Sequence, residues 1–330
     1  MPDPVTFLMG VLVLLAGGEL LVRAASNLAS ALGVSPLAVG LTVVALGTSA
    51  PELAVNLSAA LGGQTAISFG NVVGSNLANL GLVVGITALL YPLEIHNVVV
   101  RREIPMMLLA TGVAMGLGLE IWLGVPPDLY SRGDCIVLLL VFCVFVYYIT
   151  ADLQGRQSPE RYLGPAQPSG RRDRASGAAR FPWLQLLWIL VGVALLVAGA
   201  KLTVAGATGM ALALGVSDAL IGLTLVAVGT SLPELAASLV AAFRGKADLA
   251  VGNVVGSNIL NLLLVLGITG VVEPIPVPEG GEVDLLACGL FSVLLLGVSS
   301  TYGGRIVRWE GALLLVGYLA FLVQRVAFFG

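Results

Sequence analysis

Long apolar runs recur along the chain, separated by short polar breaks. They predict ten helices, at roughly 5–26, 36–61, 67–91, 102–124, 134–152, 183–210, 217–243, 249–272, 283–301 and 306–327. Crossing a bilayer takes about 20 apolar residues per helix. One long polar segment, 153–180, is rich in Arg, Pro, Gly and Ser and has no apolar periodicity. It reads as a flexible linker. The chain then divides into a first five-helix half (1–152), a linker (153–181) and a second five-helix half (182–330).

Composition turns this pattern into a membrane protein. The 330 residues are 58% hydrophobic and only 11% charged, with a mean hydropathy of +1.00. A soluble exterior cannot be built from so little charge. The 42 glycines suit helices whose backbones approach closely. Cys135, Cys143 and Cys288 fall inside apolar runs and read as core filling, with no disulfide or metal role. The N-terminal MPDPVTF has no basic residue. The first run is therefore expected to be a membrane helix, not a signal peptide.

Charge sets an orientation. With the linker cytoplasmic, five crossings place the N-terminus outside. Arg23, Arg101, Arg102, Arg244, Lys246, Arg305, Arg308 and six linker arginines then lie inside, and only Arg132, Lys201 and Arg325 outside. That is 13 of 16 basic residues on the cytoplasmic side, as the positive-inside rule favours.

The chain also repeats itself. Residues 33–85 align without a gap with 215–267 at an offset of 182, and 31 of 53 positions are identical. GVSPLAVGLTVVALGTSAPELA and GNVVGSNLANLGLVVG in the first copy match GVSDALIGLTLVAVGTSLPELA and GNVVGSNILNLLLVLG in the second. Five crossings separate the copies, so they enter the membrane from opposite sides. The expected fold is an all-α polytopic membrane protein of ten transmembrane helices, arranged as two inverted five-helix repeats. Such repeats typify secondary transporters, with the substrate site near the midplane where they meet.

Candidate chemistry sits inside the repeat. Glu52 and Glu234 are matched and lie mid-helix. A carboxylate at membrane depth is costly, and neither copy offers a nearby Lys, Arg or His, so a bound cation is the expected partner. Pro51 and Pro233 precede the acids and each removes one backbone bond, that of the Gly47 and Gly229 carbonyls. Thr48, Ser49, Thr230 and Ser231 add hydroxyls. Ser75 and Asn79, like Ser257 and Asn261, are spaced i and i+4 and share a helix face. Asn76 and Asn258 suit helix–helix hydrogen bonding, and Gly70, Gly74, Gly252 and Gly256 suit close packing. An oxygen-only donor set favours hard cations such as Ca²⁺ or Na⁺.

GTSAPE with GNVVGSNLAN, and GTSLPE with GNVVGSNILN, resemble the two alpha-repeats of the cation/calcium exchanger superfamily, in its prokaryotic sodium/calcium exchanger branch. The resemblance implies antiport of Ca²⁺ against Na⁺ by alternating access, and no enzyme activity. It implies that Glu52 and Glu234, with the carbonyls of Thr48 and Thr230, bind Ca²⁺. Na⁺ would use the same acids with Ser49, Ser75, Ser231, Ser257 and the carbonyls of Ala45 and Ala227. Asn79 and Asn261 would line the middle position. The first and sixth helices would slide across this core. Relatives often carry Asp where Asn79 and Asn261 stand, so the branch with potassium co-transport fits less well.

Other readings leave separate signatures. A proton/calcium exchanger would use a Glu-His element, but the one histidine, His96, lies outside both repeats and suits a membrane interface. A channel would need no counter-ion. An intramembrane enzyme lacks both a GxSxG pattern and a histidine base. The expected partners are membrane lipid and small cations, with no nucleic acid and no cofactor beyond the transported Ca²⁺ and Na⁺. The expected location is the plasma (inner) membrane of a prokaryote, as a multi-pass protein working as a monomer.

Overall fold

The computed structural model describes residues 3–119, 129–155, 182–214 and 227–329. Its helices are α1 (Asp3–Leu32), α2 (Pro36–Thr48), α3 (Ala50–Leu61), α4 (Thr65–Ala78), α5 (Val84–Leu90), α6 (Ile104–Gly118) and α7 (Arg132–Gly155) in the first half. The second half has α8 (Pro182–Ala213), α9 (Ala227–Thr230), α10 (Leu232–Phe243), α11 (Ala247–Leu260), α12 (Leu266–Val272), α13 (Gly281–Ser300) and α14 (Arg308–Phe329). Most of the linker, the end of the fourth expected helix (120–124) and the start of the seventh (217–226) lie outside the described residues.

Among the described residues, six helices are long and apolar enough to cross a membrane, or seven with the bent pair α2–α3 counted as one. The chain is a mostly helical, multi-pass integral membrane protein. Burial separates core from periphery. The apolar windows of 67–90 and 247–272 are each 83% buried, against 22% for that of 132–151 and 33% for that of α8. The two central spans are therefore enclosed by protein, and the outer helices turn Leu140, Val144, Trp188 and Leu190 outward. An apolar exterior of this kind is what lipid solvates.

Glycines let the helices meet backbone to backbone. A Cβ on Gly10 would lie 2.4 Å from the Thr203 nitrogen, one on Gly17 2.8 Å from the Leu196 nitrogen, and one on Gly206 2.4 Å from the Phe7 nitrogen. Partner numbers fall along α8 as they rise along α1, so the two helices run antiparallel. Gly252 and Gly256 admit α2 in the same way, with the Leu37 and Leu41 carbonyls 2.8 and 2.6 Å from a built Cβ. Their counterparts Gly70 and Gly74 meet no described atom within 4 Å. Of the segment matching α2, residues 218–230, the stretch 218–226 lies outside the described residues.

Two short antiparallel strand pairs, absent from the sequence expectation, tie loops together at the helix ends. β1 (Leu93–Glu94) pairs with β4 (Arg305–Ile306), and β2 (Leu129–Tyr130) with β3 (Ile275–Pro276). Two-residue strands carry no alternation pattern that a sequence could reveal. The pairings put loop 91–98 beside loop 301–307, and the loop before α7 beside the loop after α12.

Candidate functional site

Each acid sits just past a break in its helix. Ser49 has φ −86°, ψ 1° and Ser231 has φ −88°, ψ 1°, the sparsely occupied bridge region between helix and strand. The α2–α3 axis bends there by 43°. Pro51 and Pro233 fall in the first turns of α3 and α10, where a missing amide donor leaves no gap. The same first turns hold Glu52 and Glu234, so the positive end of each half-helix dipole faces a carboxylate. The central spans have a matching irregularity. Single π turns, Asn79–Val83 and Asn261–Val265, begin at the two candidate asparagines, and such turns are frequent at functional sites.

The breaks and the central spans converge. Glu52 and Glu234 are both 0% exposed and near enough to repel one another. Ser75 faces Glu52 without closing a hydrogen bond, and Thr48, Ser49 and Ser257 face Glu234. The Ser49 hydroxyl donates to Glu234 Oε1 at 3.3 Å. Two matched contacts cross between the halves: Thr48 Oγ1 to Ser257 Oγ at 3.4 Å, and Thr230 Oγ1 to Ser75 Oγ at 3.3 Å. Asn79 donates to Asn258 Oδ1 at 3.1 Å, and Asn76 to the Asn258 carbonyl at 3.2 Å. Asn76 and Asn258 thus join the central spans, as expected from their sequence. The Ala45 carbonyl accepts the Ser49 amide at 2.9 Å. Ala227 begins α9.

The site is underbonded. Both carboxylate oxygens of Glu52, Glu234 Oε2, Ser231 Oγ, Asn79 Oδ1 and both amide atoms of Asn261 are buried with no hydrogen-bond partner among the described residues. Buried polar groups are otherwise nearly always paired, and an unpaired buried carboxylate costs several kcal/mol. These orphan oxygens cluster around two acids, which is the donor chemistry of a hard cation.

Sequence reasoning missed part of the cluster. Asn253 accepts from Thr48 Oγ1 at 3.1 Å and donates to Ser238 Oγ at 3.1 Å, while Asn56 donates to the Glu52 carbonyl at 2.6 Å. Asn253 and its match Asn71 are identical in both copies, which was an available signal. Lys201, expected on the outer side, lies within α8.

A helical membrane protein whose broken helices bring two buried acids and paired hydroxyls together is a cation antiporter by class. A family model described as sodium/calcium exchanger protein matches residues 3–151 and 184–327. The chain is 37% identical to inner membrane protein YrbG of Escherichia coli, over 88% of this chain and 84% of that protein. It is 34% identical to sodium/calcium exchanger MaX1 of Methanosarcina acetivorans, over 96% of each. The sodium-calcium exchanger NCX_Mj superposes with a TM-score of 0.78 at 30% identity, covering 99% of each chain. The chain belongs to the sodium/calcium exchanger family, a family of transporters and not of enzymes.

Proposed function

We propose that the chain exchanges Ca²⁺ for Na⁺ across the membrane by alternating access, with the ions held at the helix breaks. The carrying observation is the buried pair Glu52 and Glu234, three of whose four carboxylate oxygens have no hydrogen-bond partner among the described residues. Two carboxylates neutralise one Ca²⁺. Glu52 and Glu234 hold it with the carbonyls of Thr48 and Thr230. Na⁺ takes the same acids with Ser49, Ser75, Ser231, Ser257 and the carbonyls of Ala45 and Ala227, and Asn79 and Asn261 line the centre.

The same reading gives the chain ten spans in two inverted halves, 1–152 and 182–330. The antiparallel course of α1 and α8 supports this, as do the strand pairs, which join loops that the scheme puts on a common side. The linker is then cytoplasmic, and the protein lies in a prokaryotic inner membrane. The printed names of MaX1 and NCX_Mj support the ion pair Na⁺ and Ca²⁺. The decisive measurement is calcium uptake into vesicles preloaded with Na⁺, with K⁺, or with a proton gradient. Uptake driven by Na⁺ alone is expected. Uptake that needs a proton gradient would replace this reading with proton/calcium exchange, and uptake without any counter-ion would make the protein a channel.

A further inference from the structure

A cationic side chain lines a cavity at the two helix breaks. Lys201 is exposed within α8 and lines a cavity of about 320 Å³ together with Pro51, Val55, Gly229, Thr230 and Pro233. These residues flank both helix breaks. Thr230 ties the cavity to the acids, because its hydroxyl is 3.3 Å from Ser75 Oγ and Ser75 faces Glu52. A lysine within a transmembrane helix is costly and marks an ion pathway by default. Lys201 makes no ion pair with any described residue. The rest of the cavity lining is almost wholly apolar, so little there screens the charge.

The matched position in the other half carries the opposite sign. Residues 10–32 align with 192–214 at the same offset of 182, GVLVLLAGGELLVRAASNLASAL against GVALLVAGAKLTVAGATGMALAL, which sets Glu19 opposite Lys201. Glu19 is not left as a free acid. Arg244 Nε donates to its Oε2 at 2.9 Å, and Arg23 pairs with it as well. One half therefore offers an acid held by two arginines, and the other a lysine with no ion pair among the described residues.

We propose that Lys201 sets the cation affinity of the route between the outer face and the Glu52/Glu234 site, lowering it relative to the inner face. This rests on the exchange reading above and on its orientation, in which α3 and the second half of α8 lead outward. Charges in low-dielectric clefts change the local ion concentration strongly. An ammonium in this cavity depletes Ca²⁺, a divalent ion, more than Na⁺. Because α8 is one of the two helices expected to slide, the charge leaves the route when the outer side closes.

The test measures half-saturating Ca²⁺ separately at each face, in right-side-out and inverted vesicles, for the native chain, Lys201→Met, Lys201→Gln and Lys201→Arg. Loss of the charge is expected to lower the outer value by about threefold or more and to leave the inner value unchanged. Lys201→Arg keeps the native outer value, and high salt shrinks the difference between native and Met variants. Lys201→Gln serves if the Met variant fails to insert. Equal outer values in the native chain and both neutral variants, or a change confined to the inner face, would overturn the proposal. Absence of sodium-driven uptake in the native chain would instead overturn the exchange reading.

Discussion

At the residue scale the proposed exchange rests on the two acids. Glu52→Gln and Glu234→Gln each remove one of the two charges that balance Ca²⁺, leaving a net positive charge where Coulomb terms are large. Each variant is expected to insert and fold while coupled calcium uptake falls to background. Substantial exchange by either would contradict the assignment. The asparagines argue about the driving ion. An amide offers an oxygen but no charge, and Asn261 has no partner for either amide atom among the described residues. Sodium-driven uptake is therefore expected without potassium, and Asn261→Asp should shift ion preference more than melting temperature. A potassium requirement in the native chain would refute the argument from charge. The repeat singled out the acids, hydroxyls and asparagines because duplication marks positions. It did not point to Asn253 as a partner of Thr48, since contact across a gap of 205 residues has no local signature.

The elements add a packing requirement that glycine meets. A side chain at Gly256 would press on the Leu41 carbonyl at 2.6 Å and on Ala45 Cβ at 2.8 Å, forcing α2 away from the central span. Gly256→Leu is expected to cost about 1–3 kcal/mol by overpacking, and more if the helices separate. Gly112 is exposed on α6 and a Cβ there meets nothing within 4 Å. Gly112→Ala should hold or slightly raise the melting temperature, because alanine is the better helix former. Thermal unfolding in one detergent compares the pair, and an equal drop for both would reject backbone proximity as the cause. The helix interruptions were legible only in part. Pro51 and Pro233 announce an irregularity, yet the break falls at Ser49 and Ser231. The π turn at Asn79 contains Gly81 while that at Asn261 has neither proline nor glycine, so no shared breaker residue marks them.

For the whole molecule, orientation and net charge make the predictions. The linker should be cytoplasmic, because that orientation puts 13 of 16 basic residues on the inner side, as the positive-inside rule favours. Cysteines placed in the 153–180 linker should resist an impermeant thiol reagent in intact cells, and rapid labelling would reverse the orientation. If three Na⁺ exchange for one Ca²⁺, two carboxylates leave one excess positive charge on the sodium-loaded site. Uptake is then expected to respond to an imposed membrane potential. Indifference to voltage would exclude that ratio.

Hydropathy and the repeat by themselves determined that the chain is a helical membrane protein, that its halves are related, and that Glu52 and Glu234 stand at matched positions. Bilayer thickness sets helix length, and duplication preserves chemistry at a fixed offset; both are properties of a linear string. The tertiary structure decided which spans lie at the centre, how the Thr48–Ser257 and Thr230–Ser75 contacts cross between the halves, and that Lys201 lines a cavity beside the breaks while Glu19 is held by arginines. Those outcomes depend on which helix faces approach and how closely. Glycine contacts and the helix breaks at Ser49 and Ser231 fix that geometry in three dimensions, where residues far apart in the chain become neighbours.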